Sequence, residues 1–415
     1  MTTQGRTAME RISRRDFLRV SALAGAATLA AACVEATPAA PSPAAVPAGP
    51  AVAPTAQPAA VPPAPAAPAA APKFGEAPML AERVAKGELP PAEERLPDNP
   101  YVAVGLDGVG NYGGSMRKSF SGQADGGTIS HLNLRGLLNI NSEMTLESMG
   151  AESWELTPDG KTFTFHLRKG MKWSDGQPMT ATDFQFYLED FLANDELNPS
   201  KPQGFANTIE GKRVLPTLAA PDDFTLVYTF QQPKPLFVYS LVLDIPAHPK
   251  HYFQQFHATY QDKATLDKTV KDAGRDNWTQ LYGDKNTFQL NIERPNYYPW
   301  LPMNPWTDEY VVAERNPYFW EVDEAGNQLP YIDNVTFRVF SSLDVAIMWA
   351  VNGEIDCQAR HIGEFANYTV YKENEAKGDY ATLILDRSKC DGVFMNMTAK
   401  NERLRKLINE RDFRF

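Results

Sequence analysis

The chain has 415 residues, of which 43% are apolar and 11% aromatic, so it can build a hydrophobic core and is not a globally disordered protein. Acidic residues outnumber basic ones by 51 to 40, and the net charge of −11 argues against nucleic-acid binding, which depends on clustered basic charge. The length is typical of about two or three domains. Three cysteines, Cys33, Cys357 and Cys390, are too few and too widely spaced for a disulfide framework or a zinc site.

The first residues have the features of an export signal. Ser13–Arg19 reads SRRDFLR and is followed by the charge-free stretch Val20–Ala32. The pattern resembles a twin-arginine signal in which Arg19 replaces the usual lysine. The alternative is an amphipathic helix with a chance arginine pair. The apolar stretch has 13 residues, whereas a membrane span takes about 20, so we expect a signal core and not a permanent span.

Small residues precede the first cysteine. Ala30–Ala32 followed by Cys33 resembles a bacterial lipobox, in which the cysteine becomes the lipidated first residue of the mature protein. The leucine usual at the third position before the cysteine is missing, because Leu29 lies one residue too early. Despite this departure, the small residues before the cysteine predict a lipid anchor on Cys33. The alternative is a cleavage site at Ala30–Ala32 that frees a soluble protein.

Residues Val34–Pro72 consist mostly of alanine and proline. Proline fixes its own backbone angle and disfavours helix in the residue before it, so such a tract is extended and semi-rigid. The pattern predicts a stalk of about 39 residues that can hold a folded domain up to about 100 Å from the membrane. A proline-rich ligand for an aromatic groove is the alternative.

Beyond the stalk, short strand and helix patterns alternate. Phe163–Leu167, after a turn at Asp159–Gly160, and Phe224–Phe230 alternate in polarity and are predicted to be half-buried strands. Between them, Thr180 and Asp183 resemble a capping box, and apolar residues then recur at helical spacing. The pattern predicts an amphipathic helix whose apolar face consists of Phe184, Tyr187, Leu188, Phe191 and Leu192.

A second group of elements follows near residue 340. Val335–Phe340 alternates like a strand, Ser341 or Ser342 can cap a helix that ends near Gly353, and Ile355–Cys357 begins a new extended run. A strand, helix and strand in this order predict a parallel βαβ unit and hence an α/β fold.

These elements carry a family resemblance. Ala151–Phe191, AESWELTPDGKTFTFHLRKGMKWSDGQPMTATDFQFYLEDF, is similar to the signature region of the family 5 extracellular solute-binding proteins, the peptide-, nickel- and oligosaccharide-binding components of ABC importers. The resemblance covers roughly 80–415. Supporting matches are Ala313–Phe340 and Asn352–Ile362, while Leu89–Pro100 and Gly110–Arg117 resemble one branch exported by the twin-arginine route.

The resemblance implies an α/β fold of the type II periplasmic-binding-protein class, with two lobes that close on a ligand. It also implies an extracytoplasmic protein, monomeric and without a cofactor, that hands its solute to ABC permease subunits. Members usually exceed 500 residues by a wide margin. Val393–Thr398 resembles the hinge-crossing strand and Arg411–Phe415 the start of a second-lobe helix. We therefore expect a first lobe at 73–398, with an inserted subdomain at about 140–300, a truncated second lobe from 399, and weak ligand binding by the chain alone.

The same resemblance implies ligand contacts on loops that face the cleft. Trp306 can stack on a sugar or peptide plane, although a buried tryptophan is more often part of a core. Asn396 either contacts ligand or ties the hinge backbone. The full set of predicted ligand-binding residues is Tyr112, Gly113, Ser115, Thr128, Asn304, Trp306 and Asn396.

Other motifs have simpler explanations. Trp173–Gly176 contains a serine and an aspartate but is typical of a turn. Asp323–Asn327 lacks calcium-loop spacing and is also predicted to be a turn.

Three further segments are assigned from composition. Tyr297–Trp300 provides either a sugar platform or core aromatics. Lys400–Arg414 is predicted to be a solvated helix face. Cys357 and Cys390 either form one bridge or, as we favour, remain free buried thiols.

The histidines His248, His251 and His257 form the one histidine cluster in the sequence. Pro249 interrupts the helical spacing that metal ligands such as H-E-x-x-H require, so surface histidines without a shared role are favoured over a metal site. We expect no catalytic residue and no metal ligand. The alternatives to a transport protein are an extracytoplasmic metal-dependent hydrolase that uses these histidines with Asp175, and a sensor module that binds solute without transport.

Overall fold

The computed structural model describes residues 73–105, 107–384 and 396–410. They belong to one unit, Ala69–Phe415. The predicted signal, the lipidated Cys33, the stalk, Cys390, the first part of the predicted hinge strand and Arg411–Phe415 all lie outside the described residues. Predictions about those segments remain predictions.

The described chain alternates strands and helices. The strands are β1 (Tyr101–Val102), β2 (Ser115–Phe120), β3 (Leu138–Ile140), β4 (Leu146–Ser148), β5 (Ala151–Leu156), β6 (Thr162–Leu167), β7 (Asn207–Ile209), β8 (Lys212–Val214), β9 (Thr217–Asp222), β10 (Thr225–Thr229), β11 (Trp300–Pro302), β12 (Tyr310–Arg315), β13 (Glu321–Val322) and β14 (Asn334–Val339).

The helices lie before, between and after these strands, with short 3₁₀ segments at Pro235–Leu241, Gln254–Phe256 and Phe365–Asn367. The α-helices are α1 (Pro78–Ala85), α2 (Ala92–Arg95), α3 (Gly127–Asn133), α4 (Ala181–Gln185, continued as a π-helix over Phe186–Leu192), α5 (Lys250–Phe253), α6 (Lys263–Asp272), α7 (Trp278–Asn286), α8 (Leu343–Val351), α9 (Tyr368–Gly378) and α10 (Glu402–Asn409).

Two four-stranded sheets organise these elements. One is antiparallel throughout, in the order β5-β6-β10-β9. The other, in the order β11-β12-β14-β2, pairs β14 with β2 in parallel and its other neighbours antiparallel. The chain leaves this second sheet after β2 and returns at β11, and the antiparallel sheet lies within that excursion. The alternation of helices with these sheets confirms the α/β class.

The antiparallel sheet owes its core to strict alternation. Phe163 and Phe165 of β6 and Leu226 and Tyr228 of β10 are buried, while the residues between them are at least partly exposed. Period-two burial is what one packed sheet face requires. Phe237 packs edge-on against Phe163, with ring centroids 5.2 Å apart. Both predicted strands are confirmed, to within a residue or two at their ends.

The helix predicted after residue 180 is also confirmed. Thr180 N–H donates to the Asp183 carboxylate at 3.0 Å, the contact that the capping box requires. From Phe186 the helix widens into a π-helix, in which Ala193 N–H donates to the carbonyl of Leu188, five residues earlier. The predicted apolar face remains on the buried or half-buried side.

The predicted βαβ unit is wrong in its last element. β14 and α8 form as expected, and Ser342 Oγ accepts the Val345 N–H at the helix start. Ile355–Cys357 forms no strand, however, and the parallel neighbour of β14 is β2. Asp356 N–H does donate to Arg117 O of β2, but Arg117 N–H donates to the Asp356 carboxylate at 2.6 Å and not to a backbone carbonyl, so no strand ladder forms.

Candidate functional site

The β2–β14 pair defines two ends of the second sheet. β2 begins at Ser115 opposite Asn334 and ends at Phe120 opposite Val339, with both strands running the same way. A six-residue strand spans about 20 Å. Loops at the start and at the end of β2 therefore cannot contact the same small ligand group.

The predicted site residues divide between these two ends. Tyr112 and Gly113 lie at the start of β2: Tyr112 donates its hydroxyl to Gln328 O at 2.8 Å, and Gly113 N–H donates to Tyr331 O. Thr128 and Asn304 lie near the end where β2 stops. The structure therefore does not bring the seven predicted residues into one cluster, and their contact with ligand remains a prediction.

At the end where β2 stops, Asp125 organises the site. The residue is 2% exposed. It accepts hydrogen bonds from Ser121 N–H at 3.0 Å, from the Thr128 hydroxyl at 3.0 Å and from Arg360 Nε at 2.6 Å, and it lies 2.6 Å from His361 Nε2. One buried carboxylate thus links the β2–α3 loop to the segment after α8. We call these five residues the Asp125 cluster.

The ionisation of Asp125 follows from these contacts. Burial by itself raises the pKa of the carboxyl, but the hydrogen bonds from Ser121, Arg360, His361 and Thr128 outweigh it and hold the Asp125 pKa below its ordinary value. The group is therefore an anion at neutral pH, paired with a basic side chain.

Two glycines allow this close packing. A Cβ atom on Gly126 would lie 2.8 Å from Gln289 Nε2, and one on Gly127 would lie 3.0 Å from Arg360 Cζ. Arg360 has a side chain 39% exposed. Its Nη atoms have no hydrogen-bond partner in the part of the chain that the structure describes, so the outer edge of the guanidinium can donate to a carbonyl, carboxylate or hydroxyl group of a ligand.

Trp306 lies in the core in this structure. It is 1% exposed and packs against Phe120 and Phe337, at centroid distances of 4.7 and 5.0 Å. Its indole N–H has no partner among the described residues. Of the two roles left open by the sequence, the core role is the one seen, and no ring face is free for stacking.

Two predicted asparagines bind their own loops. Asn304 donates to Tyr310 O and Asp308 Oδ2 and accepts from Val312 N–H, so it shapes the turn into β12. Asn396 Oδ1 accepts the Thr398 N–H and hydroxyl in a tight turn. Ser115, the first residue of β2, is exposed.

The histidine prediction needs correction, because His248 and His257 are buried and not on the surface. His248 Nδ1 lies 3.1 Å from the Tyr282 hydroxyl, and His257 Nε2 lies 3.0 Å from Asp190 O. His251 instead contacts Asp175 at 2.8 Å. No group of three or more possible metal ligands occurs among the described residues.

The turn predictions are confirmed. Gly176, at φ +85°, donates its N–H to Trp173 O, and Ser174 Oγ accepts the Asn296 N–H at 3.0 Å. Asp323 Oδ1 accepts two N–H groups of its own loop.

Three further predictions have clear outcomes. Within the aromatic run, Tyr297 is buried in the core while Tyr298 and Trp300 are half-buried. Residues 400–407 at the start of the predicted solvated helix are exposed, as expected. Cys357 is free, but it is exposed and not buried.

A family comparison decides how this site is to be interpreted. The model of the bacterial extracellular solute-binding proteins, family 5 (middle part) matches residues 145–410. The chain belongs to the family 5 solute-binding proteins. The relatives described in the next two paragraphs are named as binding proteins. Several of them are also named as periplasmic, which supports an extracytoplasmic location for this chain.

Curated relatives point the same way. The chain is 30% identical over 301 residues to a periplasmic alpha-galactoside-binding protein of Rhizobium meliloti. The matched region covers 66% of this chain and 40% of the relative. The chain is also 31% identical over 216 residues to the periplasmic oligopeptide-binding protein OppA of Escherichia coli. This match covers 50% of this chain and 34% of OppA. The matched region thus spans less than half the length of these relatives.

Solved structures confirm the type II fold. An oligopeptide-binding protein OppA matches with a TM-score of 0.70 and 38% identity over 74% of this chain and 48% of that one. The binding protein MelB of Agrobacterium fabrum, solved with stachyose, matches with a TM-score of 0.58 and 28% identity over 74% and 46%.

Sequence reasoning missed the centre of the Asp125 cluster. Asp125, Arg360 and His361 were not predicted, because their partners are 235 and 236 residues apart in sequence. His361 has φ +69°, a conformation uncommon for residues other than glycine, but this feature is visible only in the structure and gave no signal in the sequence.

Proposed function

We propose that this family 5 protein captures a peptide or oligosaccharide outside the cytoplasm and delivers it to an ABC permease without making or breaking a bond. The family match over residues 145–410 carries the proposal. Relatives named for peptides and for galactosides support both solute classes. The predicted lobes, 73–398 with an insertion at about 140–300 and the start of a second lobe at 399–415, are part of this proposal. So are the predicted ligand contacts of Tyr112, Gly113, Ser115, Thr128, Asn304 and Asn396; Trp306 is enclosed in the core and is not proposed as a contact.

Arg360 is the residue we expect to contact the solute at the Asp125 cluster. Its Nε is held by Asp125 at 2.6 Å, which leaves the Nη edge oriented and available. A planar guanidinium held in this way suits a peptide carbonyl, a carboxylate or paired sugar hydroxyls.

Uptake and binding together test the proposal. Arg360→Met should weaken binding of the solute found by screening peptides and oligosaccharides, and should slow its uptake by cells. Arg213→Met is the matched control, because Arg213 is an exposed arginine of β8 whose guanidinium donates to Lys201 O. No uptake defect in cells that lack the protein would contradict transport, and unchanged binding by Arg360→Met would contradict the role of Arg360.

Export and anchoring form a separate part of the proposal. We propose the twin-arginine route for export and a lipid on Cys33 as the membrane anchor. Replacement of Arg14 and Arg15 by lysine should stop export, while Arg19→Lys should preserve it. Cys33→Ala should abolish labelling by a radioactive fatty acid and release the protein from membranes.

We expect the predicted stalk to be more accessible to proteases than the folded part of the chain. Limited proteolysis should cut within Val34–Pro72 and leave a resistant fragment that begins near Lys73. None of the helices in the described ranges is long and apolar enough to cross a membrane.

One observation favours a second candidate, an extracytoplasmic hydrolase. Asp175 lies 2.8 Å from His251 Nε2, and Ser174 is adjacent in sequence to that aspartate. The Ser174 hydroxyl oxygen already accepts the Asn296 N–H, which does not activate it as a nucleophile. Turnover of a peptide or glycoside panel that His251→Ala abolishes and His131→Ala preserves would favour the hydrolase over the binding protein.

A further inference from the structure

A cavity of about 210 Å³ lies beside the C-terminal half of α3. One carboxylate, one hydroxyl group, two aromatic rings and two leucines line it, namely those of Asp244, Ser130, Phe288, Tyr298, Leu134 and Leu243. Asn133 also borders the cavity, but both of its amide heavy atoms are enclosed by protein, so a ligand cannot contact them. The lining shares no residue with the Asp125 cluster or with the ligand contacts predicted from the sequence.

Asp244 brings a carboxylate with one free oxygen to this lining. Its Oδ1 accepts the Ile245 N–H at 3.1 Å and the Tyr297 hydroxyl, and these two bonds orient the group. Its Oδ2 has no hydrogen-bond partner among the described residues, and the residue is exposed. No lysine, arginine or histidine of the described chain lines the cavity. The wall of the cavity therefore carries a negative group without a cation beside it.

Arg294 is a basic neighbour of Asp244, but it does not neutralise the carboxylate by direct contact. Its Nη1 donates instead to Asn296 Oδ1 at 2.7 Å, and it is not part of the cavity lining. The surrounding protein disfavours the charged form and raises the pKa of Asp244, while the Tyr297 hydroxyl, Arg294 and the Ile245 N–H oppose that rise. A cation bound in the cavity would stabilise the ionised carboxylate further.

The two aromatic walls form a corner. The rings of Phe288 and Tyr298 have centroids 5.2 Å apart and planes inclined at 64°. Aromatic faces attract cations within about 6 Å, and methylated ammonium ions are the ligands that aromatic walls recognise best. Leu134 and Leu243 add carbon surface against which methyl groups can pack.

These groups favour a cation that has no N–H bonds. The carboxylate disfavours an anion. Ser130 Oγ donates to Gly126 O at 2.8 Å, so its oxygen remains only as an acceptor. A primary ammonium ion would find two acceptor side chains, Asp244 and Ser130, for its three N–H groups and would leave the third to water. A quaternary ammonium ion has no donor to satisfy, and its methyl groups suit the rings and leucines.

Size limits the ligand to a small group. About 210 Å³ is less than the roughly 300–1,000 Å³ of pockets that enclose drug-sized ligands. We propose that this cavity binds a quaternary ammonium group, with Asp244 as its counter-charge and the rings of Phe288 and Tyr298 as its walls. The proposal does not depend on solute transport and concerns a separate part of the molecule from Arg360.

Titration of the purified chain with choline tests the site. The matched ligand is 3,3-dimethylbutan-1-ol, which has the shape of choline but no charge. Choline should bind weakly and the alcohol more weakly still. In protein labelled at its leucine methyl groups, the NMR resonances of Leu134 and Leu243 should shift as choline is added. Ethanolamine, the primary ammonium counterpart, should also bind more weakly than choline.

Two substitutions separate the charge from the walls. Asp244→Asn should weaken choline binding by about tenfold and leave binding of the alcohol unchanged. Phe288→Leu should weaken choline binding by about threefold or more, because a cation loses an aromatic face. Asp276→Asn and Phe365→Leu are the matched controls, since both residues are exposed and neither lines the cavity, and both should bind choline as the unaltered protein does.

Several outcomes would overturn the proposal. They are no binding of choline, equal binding of choline and the alcohol, equal or tighter binding of ethanolamine, binding that Asp244→Asn leaves unchanged, or leucine shifts that exclude residues 134 and 243. If Asp244→Asn lowers Tm, the preference of the unaltered protein for choline over the alcohol and the position of its methyl shifts decide. Solute uptake by cells is a separate measurement, so a failure of either proposal leaves the other standing.

Discussion

Asp125 accepts a hydrogen bond from Arg360 Nε at 2.6 Å, although the two residues are 235 positions apart in the chain. The bond joins the loop that leaves β2 to the segment that follows α8. Both segments lie at the end of the sheet where β2 and β14 stop, and the solute contact that we propose for Arg360 depends on this link. The position of the arginine is thus set by a buried acid on another element.

We expect Asp125→Asn to loosen this end of the sheet. Hydrogen bonds to a charged group are each worth about 1.5–3 kcal/mol, and the amide cannot accept from four donors as the carboxylate does. The free energy of unfolding should therefore fall by roughly that amount near neutral pH, as measured by urea denaturation. Asp276→Asn is the control: among the described residues the exposed Asp276 carboxylate accepts only a long contact, 3.4 Å from Gln280 Nε2, so its effect should be small.

The pH dependence of the same variant gives a second check. The folded-state pKa of Asp125 lies below the ordinary value, so its contribution to stability is complete above about pH 5 and is lost as the pH falls toward the folded-state pKa. The difference in unfolding free energy between the unaltered protein and Asp125→Asn should therefore shrink below about pH 4. A difference that stays constant down to about pH 2 would contradict the assigned pKa shift.

His248 should make the protein less stable in mild acid. Burial, with a smaller effect of nearby Arg294, lowers the pKa of His248 well below its usual value, so the unfolded chain takes up a proton there that the folded chain does not. Stability should fall as the pH drops below about 6.5. His248→Gln should reduce this loss between about pH 7.5 and about pH 5, whereas His131→Gln, at an exposed helix position, should leave it unchanged.

The contrast between local and distant contacts explains what the sequence could predict. Thr180 and Asp183 are three residues apart, so their capping contact and the helix after it are visible in the sequence. The same holds for the alternation of β6 and β10. The parallel neighbour of β14 is a strand more than 200 residues earlier, and sequence adjacency wrongly favoured Ile355–Cys357.

The candidate site shows the same limit. Resemblance implied that the loops of Tyr112, Ser115, Thr128 and Asn304 all face one cleft, but it could not show that Tyr112 and Ser115 lie at the opposite end of the sheet from the other two. It also could not show that the Trp306 ring is enclosed. Pairing registers and burial, which arise from long-range packing, decide both points.

Arg95 provides a test of how the segment before β1 is held. The side chain is fully buried and donates from Nε to Pro90 O at 3.0 Å and from Nη1 to Gln328 Oε1 at 2.8 Å, with further bonds to Pro317 O and Glu76. Loss of one partner of a buried ion pair costs about 3–5 kcal/mol, so Arg95→Met should destabilise the protein by that order.

The control for Arg95 is an arginine on the surface of α1. Arg83 lies 3.6 Å from Glu88, and both side chains are at least 40% exposed. Exposed pairs contribute about 0–1 kcal/mol, so Arg83→Met should shift the urea midpoint only slightly. Equal effects of the two substitutions would mean that the Arg95 contacts do not hold this segment.

Gly136 packs directly against another backbone segment, and an added methyl group has no room there. A Cβ atom at this position would lie 2.1 Å from Leu241 O and 2.5 Å from Val242 C, and backbone cannot move aside as a flexible side chain can. Gly136→Ala should therefore lower the free energy of unfolding by about 1–3 kcal/mol. A Cβ atom on Gly283 of α7 would meet no described atom within 4 Å, so Gly283→Ala should instead raise stability by about 0.5–1 kcal/mol through better helix propensity. Thermal melts of the two variants side by side should move in opposite directions, and a common direction would mean that backbone contact does not decide the outcome at residue 136.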